Sequence, residues 1–345
     1  MNFCLAHVNS LMAKLPVLKV FILTEGGKNI GFGHVTRCTA LYQAFEEKGI
    51  TPEFIINGDE SLSDLLKDLN CRIFNWIDKK EELFDLVKGV DVVIIDSYLA
   101  KIDIYETISK RIKIPVYLDD NKRLDYPKSI VVNGAIYAEE LKYPAKKGVI
   151  YLLGSKYMPL RKEFWDVPEK EIKENIESVM ITFGGDDMRN MTPKVLRLLQ
   201  NNFSDLIKNV VIGKGFKNIC EIEELKDDTT NLIYYPDAEK IKNVMLESDI
   251  AISAAGQTLY ELAVTRTPTI AISVAKNQLN NVKGWAKDGF IEYAGSCSER
   301  DILNNIYNCL EKIASLQIRK EKSKKGILYI NREGGSRIVE SILKG

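Results

Sequence analysis

Apolar and polar positions follow two alternating patterns along most of the chain. Short apolar runs rich in β-branched residues predict buried parallel strands, and the amphipathic stretches between them predict crossover helices. A charged stretch from about residue 163 to 177 separates two such series. The predicted strands lie at 17–24, 53–56, 91–96 and 115–118 in the first series, and at 178–183, 209–212, 232–235, 249–253 and 268–273 in the second.

Two consecutive series of this kind predict an α/β protein with two Rossmann-like, doubly wound domains that face a cleft. We expect the first domain at 17–165, the second at 175–330, and a C-terminal helix at 331–345. Ligands of open α/β sheets bind beyond the carboxyl ends of the strands, so the loops that follow the strands are the candidate site.

Composition narrows the classes of function. The 345 residues are 45% hydrophobic and 28% charged, as in ordinary globular proteins, and a length above about 150 residues per domain agrees with two domains. The 48 basic and 48 acidic residues balance, which argues against nucleic acid or anionic lipid as a partner. The oligomeric state is left open by the sequence.

The chain shows no signal of membrane insertion, export or metal binding. No apolar run approaches the roughly 20 residues that span a bilayer, and no leader pattern opens the chain, so we expect a cytoplasmic protein. We interpret residues 1–11 as a dispensable extension or as the result of a mis-assigned start codon. Six scattered cysteines and two histidines argue against a zinc site and a disulfide framework, and we expect no metal and no cofactor.

A glycine-rich turn connects the first predicted strand to its helix. The segment Gly31-Phe32-Gly33-His34 lacks the spacing of a dinucleotide fingerprint or a P-loop, but it lets the backbone approach a ligand closely. His34 falls in the first helical turn, where the helix dipole should keep the ring neutral and able to take a proton from water. The alternative is a histidine that only caps or packs. Arg37 could neutralise a phosphate or serve as a structural charge.

Two further loops with small residues follow strands of the second series. Gly184-Gly185-Asp186-Asp187 precedes Thr192-Pro193, which we predict as N-cap and first residue of the next helix, although the glycines could form a simple tight turn. Ala255-Gly256 permits close approach of a nucleotide. Thr258 and Glu261 have the capping-box spacing, but the carboxylate could instead hold both ribose hydroxyls, which we favour.

Polar residues after two other strands complete the candidate site. Asn277 and Gln278 could hydrogen-bond a diphosphate or a sugar, or simply begin a helix. The segments Asp96-Ser97-Tyr98 and Leu118-Asp119-Asp120-Asn121 end first-domain strands, and either could contact a sugar or only shape its loop.

The ordered set of motifs resembles one known family. It comprises I-G-F-G-H-x-x-R-C at 30–38, D-x-Y at 96–98, L-G-x-x-Y-x-x-L-R-x-x-F at 153–164, F-G-G-x-D at 183–187 and A-G-x-T-x-x-E at 255–261. Over about residues 17–340 the chain resembles PseG, the UDP-sugar hydrolases of pseudaminic acid biosynthesis. The second-domain motifs alone are shared with MurG-like glycosyltransferases of the same GT-B architecture.

The resemblance implies metal-independent cleavage of UDP-2,4-diacetamido-2,4,6-trideoxy-β-L-altropyranose by water, with His34 as the catalytic residue and helix N-termini stabilising the departing diphosphate. It implies UDP binding by Gly185, Ala255, Gly256, Thr258 and Glu261, with Asn277 and Gln278 near the diphosphate and sugar.

The chain departs from the family pattern in two places. The family usually has Arg-x-Asp before the Ile-Gly element, where residues 24–28 read T-E-G-G-K, and Tyr260 replaces a common tryptophan. A related 2,4-diacetamido sugar is therefore an alternative substrate. The alternative functions are a MurG-like transferase with an alcohol acceptor and a non-catalytic nucleotide-sugar-binding subunit.

Overall fold

The computed structural model describes residues 18–28, 30–63, 65–330 and 332–344. The predicted extension at residues 1–11 lies outside them. The strands of the first sheet are β1 (Val20–Glu25), β2 (Glu53–Asn57), β3 (Cys71–Ile73), β4 (Val92–Asp96), β5 (Ile114–Leu118), β6 (Ser129–Asn133) and β7 (Val149–Leu153). Those of the second are β8 (Ser178–Thr182), β9 (Ile207–Ile212), β10 (Thr230–Tyr234), β11 (Ile250–Ala254), β12 (Thr269–Ser273) and β13 (Ile291–Ser296).

Each sheet is open and parallel. The first has seven strands in the order β3-β2-β1-β4-β5-β6-β7, and the second has six in the order β10-β9-β8-β11-β12-β13. In both sheets the order reverses beside the first strand, which is the doubly wound arrangement and creates a crevice at the carboxyl ends. The structure confirms the predicted fold class of two Rossmann-like domains.

Helices cover the faces of the sheets because the strands are apolar on both sides. The helices of the first part of the chain are α1 (Gly33–Glu46), α2 (Lys80–Leu86) and α3 (Ile102–Arg111). The later ones are α4 (Met191–Asn202), α5 (Ile219–Glu224), α6 (Ala238–Glu247), α7 (Thr258–Val264), α8 (Leu279–Asp288), α9 (Ile302–Ile313), α10 (Leu316–Leu328) and α11 (Gly334–Lys344).

All six residues of β1 are buried, and successive side chains enter different cores. Ile22 packs with Leu41 and Phe45 of α1, whereas Phe21 packs with Ile104 of α3. This alternation follows from the two-residue period of a strand. The central strand is thereby fixed in register, and so is the loop that follows it.

The chain crosses between the two domains twice. After β7, Met158, Leu160 and Phe164 pack into a core of the second domain. After α10 the chain returns, and α11 places Ile338 and Ile342 in the core that contains α1. The first domain is therefore completed by a segment that is distant in sequence from the rest of it.

Candidate active site

A cleft of about 670 Å³ lies between the carboxyl ends of the two sheets. The residues to which the sequence analysis assigned binding or catalysis all line this cleft, and of the segment Asp119-Asp120-Asn121 only Asp120 lines it. The first domain contributes Gly31, Gly33, His34, Arg37 and Tyr98, and the second contributes Gly184, Gly185, Ala255, Gly256, Thr258, Glu261, Asn277 and Gln278. The fold thus brings the two groups of loops to one place, whereas their roles in binding and catalysis stay predictions.

His34 is paired with a buried carboxylate. It lies in the first turn of α1, and its Nδ1 is 2.8 Å from Oδ1 of Asp96 at the end of β4. A carboxylate only accepts hydrogen bonds, so Nδ1 carries the proton and Nε2 is the nitrogen able to take a proton. The Nδ1–H group is thus held by the carboxylate, and Nε2 is the ring nitrogen without a proton.

The contact with Asp96 shifts the pKa of His34 in the direction opposite to that of the helix dipole. Burial works to lower the pKa of His34, and Arg37 also lowers it, but the charge and hydrogen bond of Asp96 outweigh both and raise the pKa above its ordinary value of 6.5. The dipole was a local argument, whereas Asp96 lies 62 positions away in sequence. His34 is a stronger base than the dipole alone predicts.

Arg37 lies one turn further along α1 and binds two carboxylates. Its Nε and Nη2 donate to Asp96 at 2.8 and 2.6 Å, and its Nη1 donates to Asp120 after β5. Although burial works to raise the pKa of Asp96, the charges of Arg37 and His34 hold it below its usual range. Arg37 therefore has a structural task, since it keeps the partner of His34 ionised.

Tyr98 forms a wall of the cleft beside His34. The two rings meet edge to face with centroids 4.6 Å apart, and the phenol donates to Asp120 at 2.6 Å. Burial, together with the neighbouring Asp120 carboxylate, raises the pKa of the phenol, so it stays protonated. From the other side, the buried Glu25 accepts a 2.7 Å hydrogen bond from the Tyr98 backbone N–H. Both acids hold Tyr98 in place.

The loop after β8 begins its helix differently from the prediction. The helix α4 begins at Met191 with Asn190 as N-cap, so Thr192 and Pro193 lie inside its first turn. The Asp187 carboxylate accepts hydrogen bonds from the N–H groups of Met191 and Thr192 at 2.9 and 2.8 Å, and Pro193 has no N–H. The first turn of α4 is thus already satisfied, and the expectation that helix N-termini hold an anion is wrong for this helix.

The start of α1 differs in this respect. Phe32 is its N-cap without a side-chain hydrogen bond, and its first turn has no acidic residue. Gly31, Phe32, Gly33 and His34 all line the cleft. A helix start of this kind favours an anion.

The loop after β11 is held by Asn281 of α8. The Asn281 amide donates to the carbonyl groups of Ala255 and Gly256 at 3.0 and 3.1 Å. Its Oδ1 accepts a 2.6 Å hydrogen bond from the Tyr260 hydroxyl. The loop has the small residues that a nucleotide needs for close approach, and its carbonyls are turned away into protein hydrogen bonds.

Glu261 has a partner that neither sequence hypothesis included. Its Oε1 accepts hydrogen bonds from Nε and Nη2 of Arg161 at 2.9 and 2.7 Å. The N-cap of α7 is Gln257 and has no side-chain cap, so the capping-box alternative is not realised. Oε2 makes no hydrogen bond to the described residues.

The last two polar residues lie in the loop after β12. Gln278 accepts a hydrogen bond from the backbone N–H of Val274 at 2.9 Å, and this contact closes the loop. Asn277 lies near the phenol of Tyr98, and both residues line the cleft. The domains also approach closely at Gly185, where a Cβ atom would lie 2.7 Å from the Phe32 ring.

Sequence reasoning gave no role to two residues that organise the site, Arg161 and Asn281, and it did not predict the contacts of Asp96 with His34 and of Asp120 with Arg37. Asp96 ends β4 and Asp120 follows β5, and this position was itself the signal that made both of them candidates. Arg161 was part of the quoted motif but had no local feature that pointed to Glu261. Asn281 sits inside a helix, where its sequence context gives no sign of function.

Two further observations concern the described part of the chain. No helix in it is long and apolar enough to cross a membrane. The described residues also contain no group of three or more His, Cys, Asp and Glu side chains that could hold a metal ion.

The fold and the cleft define a GT-B protein, in which two Rossmann-like domains enclose a site between them. The model of the glycosyltransferase family 28 C-terminal domain matches residues 179–332. Among solved structures, MurG of Acinetobacter baumannii superposes with a TM-score of 0.66 at 15% identity, covering 95% of this chain and all of that chain (100%). The UDP complex of MnaA from Staphylococcus aureus has a TM-score of 0.67 at 13% identity, covering 94% and 96%.

Sequence relatives specify the resemblance further. UDP-2,4-diacetamido-2,4,6-trideoxy-β-L-altropyranose hydrolase of Campylobacter jejuni is 24% identical over 286 residues, covering 80% of this chain and 99% of that protein. An uncharacterised Methanocaldococcus jannaschii protein, MJ1062, is 28% identical over 333 residues, covering 85% and 67%. The resemblance to PseG hydrolases is thus confirmed.

A third relative is longer than this chain. The pseudaminic acid cytidylyltransferase and UDP-2,4-diacetamido-2,4,6-trideoxy-β-L-altropyranose hydrolase of Helicobacter pylori is 25% identical over 292 residues. The match covers 83% of this chain but only half (50%) of that protein.

Proposed function

We propose that this protein hydrolyses a UDP-linked 2,4-diacetamido-2,4,6-trideoxy sugar to UDP and the free sugar, as a step of pseudaminic acid biosynthesis. The observation that carries the proposal is the His34–Asp96 pair, which lies in the same cleft as the small-residue loops after β8 and β11. The names of the Campylobacter and Helicobacter relatives support the choice of sugar.

His34 supplies the base in this mechanism. Nε2 of the neutral ring takes a proton from a water molecule while the water oxygen bonds to the anomeric carbon. The bond between that carbon and the diphosphate oxygen breaks, and UDP leaves with the electron pair. Asp96 holds the Nδ1 proton and stabilises the imidazolium that forms.

The first domain would supply the chemistry and the second domain would bind UDP. Glu261 would accept hydrogen bonds from the ribose, while backbone groups near Gly185 and Gly256 would lie against the nucleotide. The uncapped start of α1 would attract the diphosphate beside His34. With these groups available for charge neutralisation, we expect turnover without an added metal ion.

One assay tests the proposal against a transferase. Purified protein is incubated with a panel of UDP-sugars, including UDP-2,4-diacetamido-2,4,6-trideoxy-β-L-altropyranose, with and without lipid or sugar acceptors and with and without EDTA. Free sugar and UDP in equal amounts, without acceptor and in EDTA, are expected. Turnover only with an acceptor would identify a glycosyltransferase, and a loss in EDTA restored by magnesium would overturn metal independence.

A further inference from the structure

A chain of hydrogen bonds crosses from the first domain to the loop after β11. The backbone N–H of Ile136, which follows β6, donates to the Tyr260 hydroxyl at 3.1 Å. That hydroxyl donates to Oδ1 of Asn281 at 2.6 Å, and the Asn281 amide donates to Ala255 and Gly256. The Tyr260 hydroxyl thus accepts once and donates once, and the Asn281 side-chain amide accepts once and donates twice.

In the first domain, further hydrogen bonds connect the segment before Ile136 to residues around His34. The side chain of Asn133 accepts a hydrogen bond from the N–H of Ala135 at 3.0 Å and donates to the carbonyl of Asp120 at 2.9 Å. Asp120 in turn binds Arg37 and Tyr98. The position of the second-domain loop is therefore set against the part of the first domain that surrounds His34.

Tyr260 suits this task because of its chemistry and its burial. The side chain is 2% exposed, and its ring packs against Trp285 with centroids 5.2 Å apart. A hydroxyl both accepts and donates, whereas phenylalanine does neither and tryptophan only donates. Neither phenylalanine nor tryptophan could therefore link Ile136 and Asn281 in this way.

We propose that Tyr260 and Asn281 are positioning residues for UDP, because they fix the Ala255–Gly256 loop relative to the first-domain segment at Ile136. The proposal rests on the proposed function, since it takes that loop as the nucleotide-binding one. The hydrogen bonds from Ile136 through Tyr260 and Asn281 make the affinity for UDP depend on the alignment of the two domains. Loss of the hydroxyl frees the loop even though the ring still fills its place in the core.

The test compares Tyr260→Phe with Tyr42→Phe in the full chain. Tyr42 is also buried, and its hydroxyl also accepts a backbone hydrogen bond, from Asn70 at 3.0 Å, but it lies wholly within the first domain. Calorimetry should show UDP binding that is about three- to tenfold weaker in Tyr260→Phe and unchanged in Tyr42→Phe. With substrate, KM should rise while kcat changes little, because the nucleotide is held equally in the ground and transition states.

Hydrogen exchange gives a readout that does not need a ligand. The amides around Ala255 and Gly256 should exchange faster in Tyr260→Phe and not in Tyr42→Phe. Asn281→Asp, which keeps the acceptor for Tyr260 but turns a carboxylate toward two carbonyls, should weaken UDP binding more than Tyr260→Phe. Normal UDP affinity and normal exchange in Tyr260→Phe would overturn the positioning role alone. Absence of UDP binding to the unaltered protein would overturn the proposed function as well.

Discussion

At the scale of single residues, the His34–Asp96 pair joins an ionised carboxylate to a base. Asp96 is 1% exposed and keeps its charge because Arg37 donates two hydrogen bonds to it. A carboxylate held in this way fixes the tautomer of His34 and raises its basicity. The chemistry proposed for the site depends on this pairing.

We predict that His34→Asn separates chemistry from binding. Loss of the general base should lower kcat by about a hundredfold or more, and UDP affinity should change little because the nucleotide is assigned to the other domain. Turnover of a verified substrate and calorimetry with UDP measure the two effects. Near-normal turnover of His34→Asn would contradict the mechanism. Parallel losses of stability and activity would indicate that His34 has only a structural role.

The raised pKa of His34 predicts opposite pH trends for rate and stability. Catalysis needs the neutral ring, so kcat/KM should fall as the pH drops through a pKa above 6.5, and His34→Asn should lack this limb. Folding raises the pKa, so the stabilisation from this residue is fully present below about pH 6.5 and is lost as the pH rises through the folded-state value. A pH–rate profile and urea unfolding at several pH values check both signs. An acid limb that is unchanged in the variant would assign it to another group.

Glu261 offers a prediction specific to ribose. Arg161 occupies Oε1, and we expect Oε2 to accept from the ribose, so Glu261→Gln should weaken UDP binding by about 1.5–3 kcal/mol. The measurement compares UDP with 2′-deoxy-UDP in both proteins as a double cycle. If the carboxylate binds the 2′-hydroxyl, the variant should discriminate less between the two ligands. Equal affinity for UDP in the unaltered protein and a folded variant would leave Glu261 only its bond with Arg161.

At the scale of elements, Asp187 shows how a loop and a helix constrain each other. The residue has a positive φ of 39°, and its side chain caps α4 by bonding two backbone N–H groups. The two hydrogen bonds fix Asp187 at the start of α4, and they thereby limit the movement of Gly184 and Gly185 in the cleft.

We predict that Asp187→Ala destabilises the protein by about 1–2 kcal/mol, because both capping hydrogen bonds are lost and alanine tolerates the left-handed conformation poorly. Asp187→Asn should cost less, since asparagine adopts positive φ readily and its single amide oxygen keeps one of the two capping hydrogen bonds, which go to different carboxylate oxygens. Thermal unfolding of the two variants measures the difference. Equal destabilisation by both would mean that the cap needs both carboxylate oxygens and that the backbone conformation of residue 187 contributes little.

Nine of the thirteen strands that the structure describes could be predicted from the sequence, and four were not. All nine predicted segments coincide with strands to within a few residues. The chain reaches β6 and β7 without an intervening α-helix, so the alternating pattern fails there even though I-V-V in β6 is typical of a strand. The edge strand β3 is short and has two exposed residues, and β13 contains Gly295 and pairs through a register shift. None of these three situations leaves a clear local signal.

Part of the candidate site could likewise be predicted from the sequence, and part could not. The glycine-rich and small-residue loops were predictable because they follow strands, and strand ends of parallel sheets meet in one crevice. The pairs His34–Asp96 and Arg161–Glu261 span 62 and 100 positions, and they depend on tertiary packing that no local pattern encodes.

At the scale of the whole molecule, the two domains depend on each other for their cores. The last helix, α11, leaves the second domain and packs on α1, the helix that carries His34. Substitutions in α11 should therefore destabilise the first domain.

We predict that Ile338→Ala destabilises the protein by about 2–5 kcal/mol, because it opens a cavity between α11 and the first-domain core. Leu343→Ala on the same helix is the control, since Leu343 is 42% exposed and its truncation should cost well under 1 kcal/mol. Denaturant unfolding of both variants provides the comparison. Similar stabilities for the two would show that α11 is not an integral part of the first domain.

The return of α11 also sets an order of events during synthesis. A ribosome completes all strands of the first sheet long before it reaches Gly334–Lys344. Until then Ile338, Val339 and Ile342 are missing, and the apolar layer over α1 stays open to solvent. Every core segment of the second domain, from Met158 to Ile330, is made earlier. The domain that begins first in sequence is therefore the last to be closed on the nascent chain.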